Sequence, residues 1–223
     1  MRVGIVGGHG KTGRAVAAAL AVRGVESVAL GRSDQPDLAA LAGCDAAYLV
    51  APNFHPDEPA YVASALAACE RHGVGRVVYH SVASPYLPAM PHHLGKARSE
   101  DLVRRSGLGW TIVQPAVYLQ NFDLTRPLLV PYDVHAPFGF LDLADLGEAA
   151  ATVLTEDRHE GATYELASRT GSVADLAAGA GTSAERVEVG PDVPEGLRTM
   201  FAYYDAYGLP AGTLVLRALL GRP

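Results

Sequence analysis

The chain has 223 residues, a length that fits one α/β domain and is too short for two full ones. Apolar residues make up 49% and charged residues 19%, which excludes a disordered chain and supplies a sizeable core. Eighteen Lys and Arg against 24 Asp and Glu leave a formal charge of -6, so no nucleic-acid partner is expected, since such binding needs cations to displace phosphate counterions.

Strand and helix patterns alternate along the chain. Val3 to Val6 is a short β-branched run ending in glycines, a buried strand. Lys11 to Arg23 is predicted as an alanine-rich helix stopped by Gly24, and Glu26 to Leu30 as the second strand. A short helix is expected over Pro36 to Leu41 and a strand over Ala46 to Ala51, which Pro52 halts. Asn53 to Pro59 reads as a proline-rich loop, Ala60 to His72 as a helix, and Arg76 to Ser81 as a strand. Ser84 to Pro91 is broken by prolines, His93 to Ser106 reads as a helix, and Trp110 to Gln114 as a strand ended by Pro115. Leu143 to Thr155 is a helix, Thr163 to Ala167 a strand and Val173 to Ala180 a helix. Arg186 to Val189 is read as a last strand, and Glu195 to Tyr207 and Thr213 to Leu220 as two terminal helices. Alternating β and α elements predict one doubly wound parallel sheet, α/β and Rossmann-type, over residues 1–223. Residues 115–141 and 186–223 are read as substrate-side elaborations.

Cys44 and Cys69 form no CxxC pair and have no metal-ligand spacing, so two reduced thiols in a cytoplasmic protein are expected. Met1-Arg2 leads straight into a strand pattern, so no leader is expected. The longest small-apolar run, Ala15 to Val22, is too short to cross a bilayer, and no membrane partner is expected. His9, His55 and His135 are scattered without ligand spacing, and no metal is expected.

The chemistry begins in the turn after the first strand. Gly7, Gly10 and Gly13 have the spacing GxxGxxG between a strand and a helix. The first glycine permits the tight turn, the second lets a pyrophosphate approach the backbone, and the third lets helix and sheet pack closely. The free N–H groups of the helix start then face the phosphates, with Lys11 and Thr12 as added contacts. The second strand ends Gly31-Arg32-Ser33. A carboxylate there would accept from a ribose hydroxyl, whereas Arg32 with Ser33 can hold a 2′-phosphate, which favours NADP over NAD.

Several segments together resemble the NmrA-like family of atypical short-chain dehydrogenases/reductases. They are the turn Val6 to Gly13, Gly73-Val74-Gly75-Arg76-Val77-Val78-Tyr79-His80-Ser81, and Met90-Pro91-His92-His93-Leu94-Gly95-Lys96 followed by Glu100. Further along come Gly109-Trp110-Thr111-Ile112-Val113-Gln114-Pro115-Ala116 with Tyr118, Gln120 and Asn121, then Leu141 to Leu146, and the end Leu219 to Pro223. The resemblance implies a Rossmann-type fold and NAD(P) binding, in a family that holds both reductases and redox sensors. Two departures stand out. The stretch Gly31 to Cys44 lacks the extra helix and strand that most members carry, so one edge strand of the sheet is expected to be missing. The tyrosine of the Tyr-x-x-x-Lys pair is also absent: Lys96 keeps the lysine position, but four residues earlier stands His92.

The resemblance places Ser81 where a serine orients a substrate carbonyl, and Lys96 where a lysine holds the nicotinamide ribose. Spacing of four puts His92 and Lys96 on one helix face if the helix reaches that far. Ser81, Lys96 and His92 or its neighbour His93 are therefore the catalytic candidates, with His80 a competitor for the histidine role. Gln114, Tyr118 and Asn121 follow a strand end, where open α/β sheets place substrate. Of the aromatic residues Phe201, Tyr203, Tyr204 and Tyr207, two at least are expected to pack in the core and the others to wall an apolar pocket or a homodimer contact. Three readings stand: an NADP-dependent reductase of a small apolar carbonyl or enone, a cofactor-binding sensor without turnover, and a cofactor-free isomerase, dehydratase or cyclase.

Overall fold

The computed structural model describes residues 1–222; Pro223, the last residue of the C-terminal segment, lies outside them. The first half runs β1 (Arg2–Val6), α1 (Lys11–Val22), β2 (Glu26–Leu30), β3 (Ala46–Leu49), α2 (Glu58–Arg71), β4 (Arg76–His80), α3 (Pro91–Arg104) and β5 (Gly109–Pro115). The second half runs β6 (Val117–Tyr118), β7 (Leu128–Val130), β8 (Phe138–Leu141), α4 (Leu143–Thr155), β9 (Thr163–Leu166), β10 (Arg169–Gly171), α5 (Val173–Gly179), β11 (Ala184–Arg186), α6 (Glu195–Tyr207) and α7 (Leu214–Leu219).

Six strands form one sheet in the order β2-β1-β3-β4-β5-β9, every pair parallel. Period-two alternation sends Val3 and Ile5 of β1 to one face and Val6 to the other. On the first face α1, α4 and α7 cover the sheet through Val16, Leu20, Leu146, Val153 and Leu216. On the opposite face α2 and α3 cover it through Val62, Leu66, Cys69 and Val103. Burial on both faces is what makes these strands read as near-continuous apolar runs. Strand order reverses between β2 and β3 around β1, and the crevice above that point is where such sheets bind ligands.

The expected gap is present: β2 is an edge, and no described strand pairs outside it. The helix expected over Pro36 to Leu41 is instead a pair of 3₁₀ turns, Arg32–Asp34 and Ala39–Leu41. Leu38 between them has φ +49°, a left-handed residue that no α-helix continues through. Two helices start earlier than their prolines suggested. Pro59 sits in the first turn of α2, where Asp57 caps the Ala60 N–H, and Pro91 opens α3. Proline is tolerated there because its missing N–H is one the helix could not pair anyway. The last strand, expected over Arg186 to Val189, lies at Ala184–Arg186 and pairs with β7.

Residues 115–141 hold three strands that alternation alone did not predict. β8 pairs antiparallel with β10 and parallel with β6, and with α5 and α6 this layer makes a third core around Phe138, Phe140, Tyr132 and Tyr204. No described helix is long and apolar enough to cross a membrane.

Candidate functional site

One cavity of about 1430 Å³ runs from the glycine turn, past the ends of β3, β4 and β5, to the aromatic layer under α6. It exceeds the roughly 300–1,000 Å³ of an ordinary small-ligand pocket and has room for two ligands end to end.

The turn is built of glycine for steric reasons. Gly7 has φ +82°, and a Cβ there would lie 2.6 Å from the Val50 carbonyl oxygen. A Cβ on Gly13 would lie 2.5 Å from Gly8 Cα, so this residue sets the closeness of α1 to the turn. At Gly10 the nearest neighbour of an added Cβ is 3.4 Å away, so its outer side opens on the cavity. Gly10 is also the N-cap of α1, without a side-chain cap and without an acidic residue in the first turn. The N–H groups of that turn are therefore available to an anion. Lys11 and Thr12 line the same end; Lys11 Nζ donates to Asn121 Oδ1 at 2.5 Å, and Thr12 Oγ1 donates to the Tyr118 hydroxyl at 3.3 Å. Exposed Arg32 and Ser33 stand at the mouth beside Gly31. The carboxylate of Asp34 turns back to accept the Gly31 N–H at 2.6 Å.

The middle of the cavity gathers α3 against the ends of β3 and β4. Because α3 begins at Pro91, His92 and Lys96 do share one helical face, and both line the cavity. Lys96 is buried: Nζ lies 2.7 Å from Glu58 Oε1 and donates to the His80 carbonyl at 3.2 Å. Glu58, 3% exposed, also accepts from the Tyr79 hydroxyl at 2.7 Å. An ammonium has three protons, so one remains for a ligand. Ser81 lines the cavity, but its hydroxyl donates to Glu100 Oε1 at 2.5 Å. It therefore presents lone pairs to a ligand rather than the donor that the resemblance implied. Gln114 donates to the same carboxylate at 2.7 Å and stands off the cavity wall, unlike Tyr118 and Asn121.

The histidines differ in character. His92 packs on Phe54 with ring centroids 4.6 Å apart, and burial pulls its pKa down. His93 is 1% exposed; its Nδ1–H donates to the Ser84 carbonyl at 3.1 Å, and Nε2 has no partner among the described residues. Burial lowers its pKa to about 4, against the opposing effect of the Ser84 bond. At neutral pH its Nε2 is a buried, unpaired hydrogen-bond acceptor rather than an acid. His80, buried and with its pKa lowered to about 3 by desolvation and by Lys96, bridges two tyrosines. Its Nδ1 lies 2.7 Å from the Tyr48 hydroxyl and its Nε2 lies 2.8 Å from that of Tyr118.

The far end is apolar. Phe122, Leu128, Tyr132, Met200, Phe201 and Tyr204 line it, and Tyr132 meets Phe138, Phe201 and Tyr204 at centroid distances of 5.4, 6.0 and 5.6 Å. Of the four aromatic residues singled out on α6, Phe201 and Tyr204 reach the cavity, while Tyr203 packs on the exposed Tyr207. Tyr132 and Phe122 were missed because they lie in a proline-rich stretch without periodicity.

Comparison with known proteins fits this geometry. The family described as NAD(P)H-binding matches residues 34–157. The NAD(P)H azoreductase of Xenophilus azovorans is 29% identical over 156 residues, covering 66% of this chain and 54% of that protein. The chain spans about half the length of the curated relatives it matches. The Citrobacter sp. triphenylmethane reductase, solved with NADP(H), superposes with a TM-score of 0.77 at 22% identity, over 99% of this chain and 95% of that one. NmrA, a negative transcriptional regulator solved with NADP, gives 0.78 at 19% identity over 99% and 91%. With a glycine turn at the switch point of a parallel sheet and a family match over residues 34–157, more than half its length, the chain belongs to the NAD(P)H-binding family.

Proposed function

We propose that this protein is an NADPH-dependent reductase of a small, apolar carbonyl or enone. The observation that carries the reading is the single cavity that joins an anion-binding turn to an aromatic pocket, with buried Lys96 and His93 between them. The residues fit a dinucleotide: Gly10 leaves its outer side open, the first turn of α1 is uncapped, and Nε2 of His93 is a buried acceptor in need of a donor. When bound, the nicotinamide supplies a hydride. Lys11, Thr12 and the α1 N–H groups would hold the pyrophosphate, Arg32 and Ser33 a 2′-phosphate, and the third proton of Lys96 a ribose hydroxyl. Tyr132, Phe201 and Tyr204 would bury the apolar substrate and exclude water from the transfer. The similarity to an azoreductase and to a triphenylmethane reductase supports reductive chemistry on conjugated substrates.

The sensor reading keeps one specific support, the replacement of the pair's tyrosine by His92. Turnover separates the two. Calorimetry with NADPH and NADH comes first, on wild type and Arg32→Ala, followed by NADPH oxidation against a panel of quinones, enones and aromatic aldehydes. We expect NADPH to bind at least tenfold tighter than NADH, and Arg32→Ala to erase about 1–2 kcal/mol of that difference. Binding without turnover on any acceptor favours the sensor. No binding of either nucleotide overturns both and leaves the cofactor-free enzyme.

A further inference from the structure

Granted the reductase reading, we infer that the acid completing the reaction is the hydroxyl of Tyr118, held as a donor by a hydrogen-bond chain that runs Tyr48–His80–Tyr118. Tyr48 is fully buried in β3, and among the described residues its hydroxyl meets one partner, Nδ1 of His80 at 2.7 Å. If Tyr48 accepted from Nδ1, its own proton would be buried without a partner, a state proteins avoid. It therefore donates, and Nδ1 supplies the lone pair. A neutral imidazole then carries its one proton on Nε2, 2.8 Å from the Tyr118 oxygen, and donates it there. Thr12 Oγ1 donates to the same oxygen at 3.3 Å. Having accepted twice, Tyr118 keeps its own proton free of the network, and it lines the cavity. Burial raises its pKa, so at rest it is protonated.

The step balances. As the substrate carbon gains the hydride with its electron pair, the π pair of the C=O bond moves to oxygen. That oxygen takes the Tyr118 proton, the O–H bond breaks, and an alcohol leaves with NADP⁺. The phenolate is held by the His80 Nε2–H and the Thr12 hydroxyl, with Lys11 Nζ 5.2 Å from the ring centroid, and it regains a proton from water through the cavity mouth. For an enone the hydride reaches the β-carbon and the same proton goes to the enolate oxygen. The proton donor thus comes from β6 rather than from the helix that carries Lys96.

The test has two arms. Nitrogen-15 NMR of the full chain reads the His80 tautomer without any turnover: the chain requires Nε2–H in wild type and a shift toward Nδ1–H in Tyr48→Phe. An Nδ1–H tautomer in wild type overturns the assignment, because the Tyr118 proton would then be spent on His80. The second arm is Tyr118→Phe, which keeps the ring. NADPH affinity should stay within about threefold of wild type while kcat falls by about 10²–10⁴-fold, the usual worth of a positioned acid. A kcat above about a third of wild type overturns the assignment and leaves the reductase reading intact. If wild type binds NADPH and reduces nothing, that reading fails separately, and the tautomer still decides which way Tyr118 presents its proton.

Discussion

The buried pair Lys96–Glu58 offers a sharp test of how the middle of the site is held. Their side chains are 7% and 3% exposed, and Nζ lies 2.7 Å from Oε1. At an effective dielectric of about 20 the direct attraction at that separation is about 6 kcal/mol, much of which the desolvation of both ions cancels. Removing one partner alone does not return the desolvation of the other. Glu58→Gln keeps the size and can still accept from Tyr79 and Lys96, but leaves the ammonium with a neutral amide and the His80 carbonyl as acceptors. We expect it to cost about 3 kcal/mol, within the range for breaking such pairs, which for a chain of this length is about 6–10 °C in Tm. Glu58→Gln combined with Lys96→Met removes both charges and should recover about half of that loss or more. Urea unfolding of these two variants and of Lys96→Met alone, followed by circular dichroism with equal m-values required, gives all the free energies needed. A single-variant loss below about 1 kcal/mol, or a double variant that is merely additive, would refute the view that an uncompensated charge is what the fold resists here.

Three further outcomes follow from the geometry. Gly10→Ala should fold within about 0.5 kcal/mol of wild type yet weaken NADPH binding at least tenfold, because its Cβ meets nothing closer than 3.4 Å and would stand on the open side of the turn. Gly13→Ala should instead cost about 2–3 kcal/mol of stability before any ligand is added, since its Cβ would lie 2.5 Å from Gly8 Cα. His93, with its pKa lowered to about 4, binds its proton less readily in the folded than in the unfolded chain. Its stabilising contribution is therefore complete above about pH 6.5 and is lost as pH falls toward 4, by about 2 kcal/mol at pH 5. His93→Gln should roughly halve the slope of that part of the urea-midpoint profile, because His80, lowered to about 3, loses stability over the same range and on to lower pH.

Local chemistry explains which parts of this molecule were legible in its sequence. The glycine turn with its flanking β1 and α1 is a contiguous pattern in which each residue acts on near neighbours, and β2 and α4 match their expected bounds for the same reason. The two proline-led helices were placed late because proline ends more helices than it begins, and only the cap at Asp57 and the first-turn position reverse that reading. β7, β8 and β10 are strands of three or four residues whose partners lie tens of residues away, so no short window contains the hydrogen bonds that define them.

The site divides along the same line. The spacing of four between His92 and Lys96 survives because a helix is periodic, but what each side chain does is decided by residues from other elements. Lys96 is met by Glu58 of α2, and Ser81 of the β4 end by Glu100 of α3. Glu100, fully buried, accepts hydrogen bonds from Ser81, Gln114, Tyr86 and Arg104, and so ties two residues expected to touch substrate into the support of the strand ends. The converse holds at β3, β4 and β6, where Tyr48, His80 and Tyr118 are unremarkable one at a time. Parallel neighbours bring the first two to within hydrogen-bonding reach, and the turn after Pro115 folds the third back over them. A buried hydroxyl with one partner then fixes the direction of every bond beyond it. Proton direction is thus a property of the assembled strand ends, set by the need to leave no buried donor unpaired.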